Sequence, residues 1–274
     1  MIPATSLYDT RNLWSVRPRT ATRSPTFRHA RANEWLTAPP SLEVSDRDVH
    51  IWKIDLAREL TAVGSSLSAE EHERAARFRF ETDRQRFKTA RGALRLILSY
   101  YLRCAPGELK FGQTEYGKPF FTNPYDSSLR FNLSHAGDVA LLAVTRGREV
   151  GIDVELMRPD FATHEIAEHF FSPFEVAALA HIKPSQKTRA FFTCWTRKEA
   201  YVKARGEGLS MPLDMFDVTV GPGSVAAMLH NRSDSSETSR WIFHHIALDH
   251  EYVGALVIET TVAPLQISRF QFGT

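Results

Sequence analysis

Two long runs carry apolar residues at three- and four-residue spacing, Thr82–Leu102 and roughly 185–205, and each stands among runs that alternate like strands. A helix of that length must bury one face, and the neighbouring strands supply the surface to bury it on. In the first half, "VHIWKIDL" (Val49–Leu56) alternates as a strand. "SAEEHERAARF" opens a helix with Ser68 as N-cap and acids in the first turn. After the 82–102 helix, "LRFNLSH" and "VALLAVTRG" read as paired strands. The second half restarts with a strand at Val150–Leu156, helices around 163–170 and 173–182, and the long helix near 185–205. Strands follow near 214–220, 240–248 and 252–259. The order predicts an α+β fold of two similar subdomains, 47–147 and 148–262, each a long helix packed on a mainly antiparallel sheet. The likeness of the halves rests on element order, not on residue identity.

The flanks read differently. Residues 1–46 contain Arg11, Arg17, Arg19, Arg23, Arg28 and Arg31, with Asp9 the only acid before Glu34, and close on Pro39-Pro40. No apolar period holds there, so the stretch is expected as a disordered tail, with an address signal as the alternative. Residues 263–274 are expected as a C-terminal tail, and "GPGSVAAMLHNRSDSSETSR" as a polar surface connection. A formal net charge of +2 over 274 residues calls for no nucleic-acid partner. The longest apolar runs are too short to span a membrane. The two cysteines, Cys104 and Cys194, fit a reducing, cytoplasmic setting and give no zinc spacing. No charged-then-apolar leader opens the chain, so its two sequons carry no secretory expectation.

Four stretches bear on chemistry. "GQTEYGKP" (Gly112–Pro119) has the spacing of a phosphate loop, but Pro119 stands where the magnesium-binding Ser or Thr belongs and an extended Phe120-Phe121 follows. A nucleotide-triphosphate loop is therefore rejected, while Lys118 remains either a phosphate contact or a solvated turn lysine. In "NLSH", Ser134 and His135 are strand neighbours facing opposite sides, so they do not pair as nucleophile and base. "GIDVELMRP" puts Asp153 and Glu155 on one strand face and Ile152, Val154 and Leu156 on the other. Two acids there repel unless water screens them or a cation lies between them. "CWTRKEAYVKARGEGLSMP" places Trp195, Glu199 and Lys203 on one helical ridge, with Lys198 beside it. The indole argues that this ridge is partly buried, and a buried carboxylate wants a cation.

Taken in order, "EYGKPFF", "FNLSHAGDVALLAV", "GIDVELMRP", "EIAEHFFSPFE" and "WTRKEAYVKARGEGLSMP" resemble the Sfp-type 4′-phosphopantetheinyl transferases over roughly residues 48–260. The resemblance implies Asp153, Glu155 and Glu199 as ligands of Mg²⁺, which suits a set of carboxylate oxygens. It implies coenzyme A as substrate and the serine of an apo acyl or peptidyl carrier protein as acceptor, with 3′,5′-ADP leaving. Glu199 is the implied base for that serine, directly or through a metal-bound water, and Lys203 the group on the departing side. Lys118, Ser134, His135, Lys198 and Lys203 are implied at the coenzyme A site. Arg86 and Arg91 of "DRQRFKTARGALR" are chosen for its 3′-phosphate, against a solvated basic face as the alternative. A monomer acting as a pseudodimer is implied too. Other Mg²⁺-dependent phosphoryl or nucleotidyl transferases, or a non-catalytic carrier-binding module, are the alternatives. The former predicts triphosphate binding, and the latter predicts loss of one of the three acids, all of which are present.

Overall fold

The computed structural model describes residues 34–39, 41–58, 61–122, 128–208, 211–260 and 264–273. The first half runs β1 (Leu36–Thr37), β2 (Asp48–Asp55), α1 (Thr61–Gly64), α2 (Ala69–Ala76), α3 (Glu81–Leu102), β3 (Phe111–Gln113), β4 (Pro119–Phe121), β5 (Leu129–Ala136) and β6 (Val139–Arg146). The second half runs β7 (Val150–Leu156), α4 (His164–Phe170), α5 (Pro173–Ala180), α6 (Lys187–Arg205), β8 (Phe216–Val218), β9 (Met228–Asn231), α7 (Glu237–Arg240), β10 (Trp241–Ile246), β11 (Tyr252–Glu259) and β12 (Gln266–Phe272). This is an α+β fold. Ser68 caps α2 as expected, its hydroxyl accepting from Glu71 N while Glu71 reaches back to Ser68 N.

The sheets have the order β1-β12-β2-β6-β5 and β10-β11-β7. Strand alternation sorts their side chains into layers. Trp52, Ile54, Leu142 and Val144 leave one face of the larger sheet to pack against Leu94, Ile97 and Leu98 of α3. Val49, Ile51, Leu141 and Ala143 leave the other face and meet Ile152, Val154, Leu256 and Ile258 of the smaller sheet. The far face of that sheet carries Val253, Ala255 and Val257, which join Ala200, Tyr201 and Ala204 of α6. The order is thus helix, sheet, sheet, helix, with the two sheets back to back.

Both flanks depart from expectation where they are described. The C-terminal segment is no tail, because β12 inserts between β1 and β2, parallel to each, and buries Phe270 and Phe272 at 3% exposure. Its apolar side chains fill the α3 layer of the first half, so the chain end returns across the molecule. Residues 34–39 and 41–46 are likewise folded, with β1 on β12 and with Leu42 and Val44 in that core. The expectation for residues 1–33 lies outside the described residues. The connection after β8 is not wholly surface loop, since it contains β9 and α7 and buries Met228 and Glu237.

Candidate functional site

The expected site forms where the two halves meet. Ala255 lies opposite Asp153 and Val253 opposite Glu155 in the β7–β11 pairing. Asp153 and Glu155 therefore share the face turned to α6, while Ile152 and Val154 enter the core between the sheets. Gly151 makes the close approach of α6 possible. A Cβ there would stand 2.0 Å from Ala200 O and 2.4 Å from Ala204 N, so only glycine lets the helix backbone rest on this strand. From that helix Lys203 reaches Asp153, Nζ to Oδ1 at 2.5 Å. Ser134 of β5 closes the triangle, donating to Asp153 Oδ1 at 2.8 Å and accepting from Lys203 Nζ at 2.9 Å. Asn132, two residues earlier on the same face, accepts the Ile152 N–H at 2.8 Å and ties β5 to β7.

Electrostatics mark this seam. Burial, and then Asp153, push the Glu155 carboxyl up to about 7. The same causes push Glu199 up. Burial alone would pull Lys203 down, but the charge of Asp153, its hydrogen bond, and Glu199 and Glu155 outweigh it and raise the ammonium. Three acids thus crowd around one cation. Asp153 is 2% exposed, and its Oδ2 has no hydrogen-bond partner. An orphaned buried carboxylate oxygen beside two acids that burial and mutual charge hold toward neutrality fits a hard divalent cation with oxygen ligands. As they stand, no three His, Cys, Asp or Glu side chains among the described residues are arranged to hold a metal.

A cleft of about 250 Å³ opens on this seam, walled by Tyr116, Lys118, Leu133, Glu199, Lys203 and Gly206. Gly206 ends α6 in the left-handed region at φ 72°. At Pro119 the cleft borders a larger one of about 750 Å³, whose wall holds Arg74, Arg91, Arg95 and Lys110 with the Phe87 and Phe111 rings. Arg74 and Lys110 were not singled out in the sequence, because they lie on separate elements and only the fold gathers them. Asn132 was missed as well, although its two-residue offset from Ser134 is a usable signal.

The remaining expected residues are spread more widely. Lys118 pairs with Glu149 at 2.8 Å and donates to Ala204 O at 3.0 Å, so it is neither a free turn lysine nor an unpaired phosphate donor. His135 faces away from Ser134, toward α3, and its imidazole is held below the usual range by burial first and then by Lys203 and Arg86. Arg86 grips Asp138 at 2.7 Å at the outer edge. Arg91 faces the larger cleft, paired with Glu71 at 2.6 Å, and Arg95 holds the other Glu71 oxygen at 2.6 Å. Lys198 corrects the expectation for it. It is 0% exposed and its ammonium pairs with Glu175, on the side of α6 away from the cleft.

Comparison with known proteins accounts for both halves. The profile of the 4′-phosphopantetheinyl transferase N-terminal family matches residues 52–147, and that of the 4′-phosphopantetheinyl transferase superfamily matches residues 149–257. The chain is 39% identical over 198 residues to the 4′-phosphopantetheinyl transferase HetI of a Nostoc strain, covering 71% of this chain and 83% of that one. It is 33% identical over 154 residues to the 4′-phosphopantetheinyl transferase Sfp of Bacillus subtilis, covering 56% and 66%. Among solved structures, the holo-[acyl-carrier-protein] synthase of Thermotoga maritima aligns at 22% identity with a TM-score of 0.33, over 41% of this chain and 63% of that chain. No helix among the described residues is long and apolar enough to cross a membrane.

Proposed function

The chain belongs to the 4′-phosphopantetheinyl transferase superfamily, and from that premise we propose that it transfers the 4′-phosphopantetheine arm of coenzyme A to a serine of an apo acyl or peptidyl carrier protein. The observation that carries this reading is the cleft walled by Glu199 and Lys203, with Asp153 bonded to that lysine and Glu155 electrostatically coupled to both. A Mg²⁺ held by Asp153, Glu155 and Glu199 would withdraw charge from the pyrophosphate oxygens.

The chain's own groups supply the rest. The acceptor serine oxygen attacks the phosphorus that bears the pantetheine arm. A new Ser Oγ–P bond forms, and the P–O bond to the adenosine phosphate breaks. The serine proton passes to Glu199, whose carboxyl is raised by burial and then by the charge of Asp153, which favours its taking up a proton. The ammonium of Lys203, raised and therefore charged at pH 7, offsets the charge that grows on the departing 3′,5′-ADP. Ser134 and Asp153 hold that ammonium in place. Arg86, Arg91, Lys118 and His135 serve the phosphates that do not react. Lys118 and Arg91 would do so while keeping their Glu149 and Glu71 partners, because each guanidinium or ammonium has more than one donor.

Incubation of the protein with coenzyme A, Mg²⁺ and an apo-carrier protein, followed by mass measurement of the carrier, tests the proposal. The carrier should gain one phosphopantetheine, with 3′,5′-ADP formed in equal amount. A carrier that is bound but unchanged in mass would leave a binding module instead.

A further inference from the structure

Lys198 and Glu199 are consecutive on α6, so their side chains leave the helix about 100° apart. Glu199 enters the cleft, and Lys198 enters the interior of the second half. There its ammonium donates to Leu213 O at 2.6 Å and Phe216 O at 2.6 Å, and pairs with Glu175 Oε2 at 2.8 Å. Three donors thus meet three acceptors. Glu175, also 0% exposed, accepts the Val218 N–H through Oε1 at 2.7 Å and the Ser172 N–H through Oε2 at 2.9 Å. One desolvated node therefore joins α5, α6 and the chain leading into β8.

Stability alone is a poor reason for such a node, since a buried ion pair replaced by well-packed apolar residues is often no less stable. An apolar pair, however, would accept α6 over a range of rotations. The tripod accepts one, because its acceptors are backbone carbonyls and a carboxylate that is itself fixed by two backbone N–H groups. Turning a helix by roughly 20° moves a side-chain tip about 6 Å from its axis by about 2 Å. A displacement of about 1 Å at reacting groups is enough to cost about 100-fold in rate.

We propose that Lys198 and Glu175 are positioning residues that set the rotation of α6, and through it the placement of Glu199 and Lys203 against Asp153. The inference rests on the function proposed above. It assigns Lys198 a role away from the substrate, in the interior of the second half.

The test is the double variant Glu175→Gln/Lys198→Met, which removes both charges together and leaves neither buried alone. Its transfer kinetics are compared with those of the parent, per folded molecule and well below both melting temperatures, and both crystal structures are determined. The expected result is a kcat lower by about 10- to 100-fold, a KM for coenzyme A within about twofold of the parent, and Glu199 displaced from Asp153 by about 1 Å or more. Parent-like kcat per folded molecule, or an α6 that has not turned, overturns the proposal. If the double variant does not fold, Glu175→Met/Lys198→Met takes its place under the same criteria. A parent that transfers nothing overturns the function and not the positioning role, which the two crystal structures then decide alone.

Discussion

Lys203 of α6 and Asp153 of β7 stand 2.5 Å apart, Nζ to Oδ1, while the other oxygen of Asp153 is buried without a partner. Half of that carboxylate is thus committed to holding the helix, and half is available. Asp153→Asn keeps the shape but loses the ion pair and a hard oxygen ligand. Transfer should fall by orders of magnitude. Lys203 keeps Glu199 and Glu155 nearby, and neutralising Asp153 relieves repulsion among the acids. Stability should therefore drop only modestly, on the order of 1–2 kcal/mol. Urea unfolding and the carrier mass assay on one preparation separate the two effects. Unfolding at room temperature would make the carboxylate a structural partner first.

Gly151 predicts a sharper structural failure. A methyl group there meets Ala200 O and Ala204 N, both backbone atoms that no rotamer change can move aside. Gly151→Ala should force α6 off β7 at a cost near the top of the overpacking range, about 3 kcal/mol. Activity should fall further than the folded fraction does, because the same shift carries Glu199 and Lys203 away from Asp153. Equal losses in folded fraction and activity would show that the strand, not the helix, gives way.

The returning C-terminal strand makes truncation costly. Phe270 and Phe272 lie in the core under α3, so Phe270→Ala should cost about 3–5 kcal/mol by the usual scale for buried aromatics. Removing residues 265–274 exposes the β2 edge and should give insoluble protein. Removing residues 1–46 takes away Leu42, Val44 and β1 and should lower the melting temperature. A truncation at 46 that melts like the parent would show that these contacts contribute nothing.

Acid stability should depend on Glu237. Burial would raise its carboxyl, but hydrogen bonds from Tyr201, Arg205 and Trp241 prevail and lower it to about 2. A depressed carboxylate contributes stability that is complete above its unfolded value near 4.5 and is lost as pH falls toward about 2. Glu237→Gln should remove that part of the dependence. Urea unfolding between pH 5 and about 2 should show a shallower slope for the variant. Parallel curves would mean that the carboxylate is no better held in the folded protein than in the unfolded one.

The legible parts of the site were those set by short-range period. A two-residue repeat put Asp153 and Glu155 on one face of β7, and a four-residue repeat put Trp195, Glu199 and Lys203 on one ridge of α6. Lys198, expected at the coenzyme A site from the resemblance, lies elsewhere because its partner Glu175 sits 23 positions earlier on another helix, a pairing that no local spacing reveals. Arg91 is paired by Glu71 of the preceding helix, which no spacing rule links to it. β12 escaped notice because Arg269 interrupts its alternation and its pairing partner β2 is more than two hundred residues away.

His135 and Arg91, both expected from sequence at the coenzyme A site, should now behave differently. His135 has a lowered imidazole, neutral at pH 7, and lies beside Arg86 and Lys203. His135→Ala should leave the melting temperature within a degree or two. Its KM for coenzyme A should rise about 5- to 20-fold with little change in kcat, because a phosphate that does not react is bound equally in ground and transition states. Arg91→Ala removes one of two guanidinium partners from Glu71, which is 7% exposed and held below the usual carboxylate range. That variant should lose stability as well, by about 1–3 kcal/mol. Substituting 3′-dephospho-coenzyme A then separates binding from folding. Each variant should lose less from the missing phosphate than the parent does, if its side chain is the one that meets it. Losses that multiply for Arg91→Ala but not for His135→Ala would leave Arg91 a structural partner of Glu71 and His135 the 3′-phosphate contact.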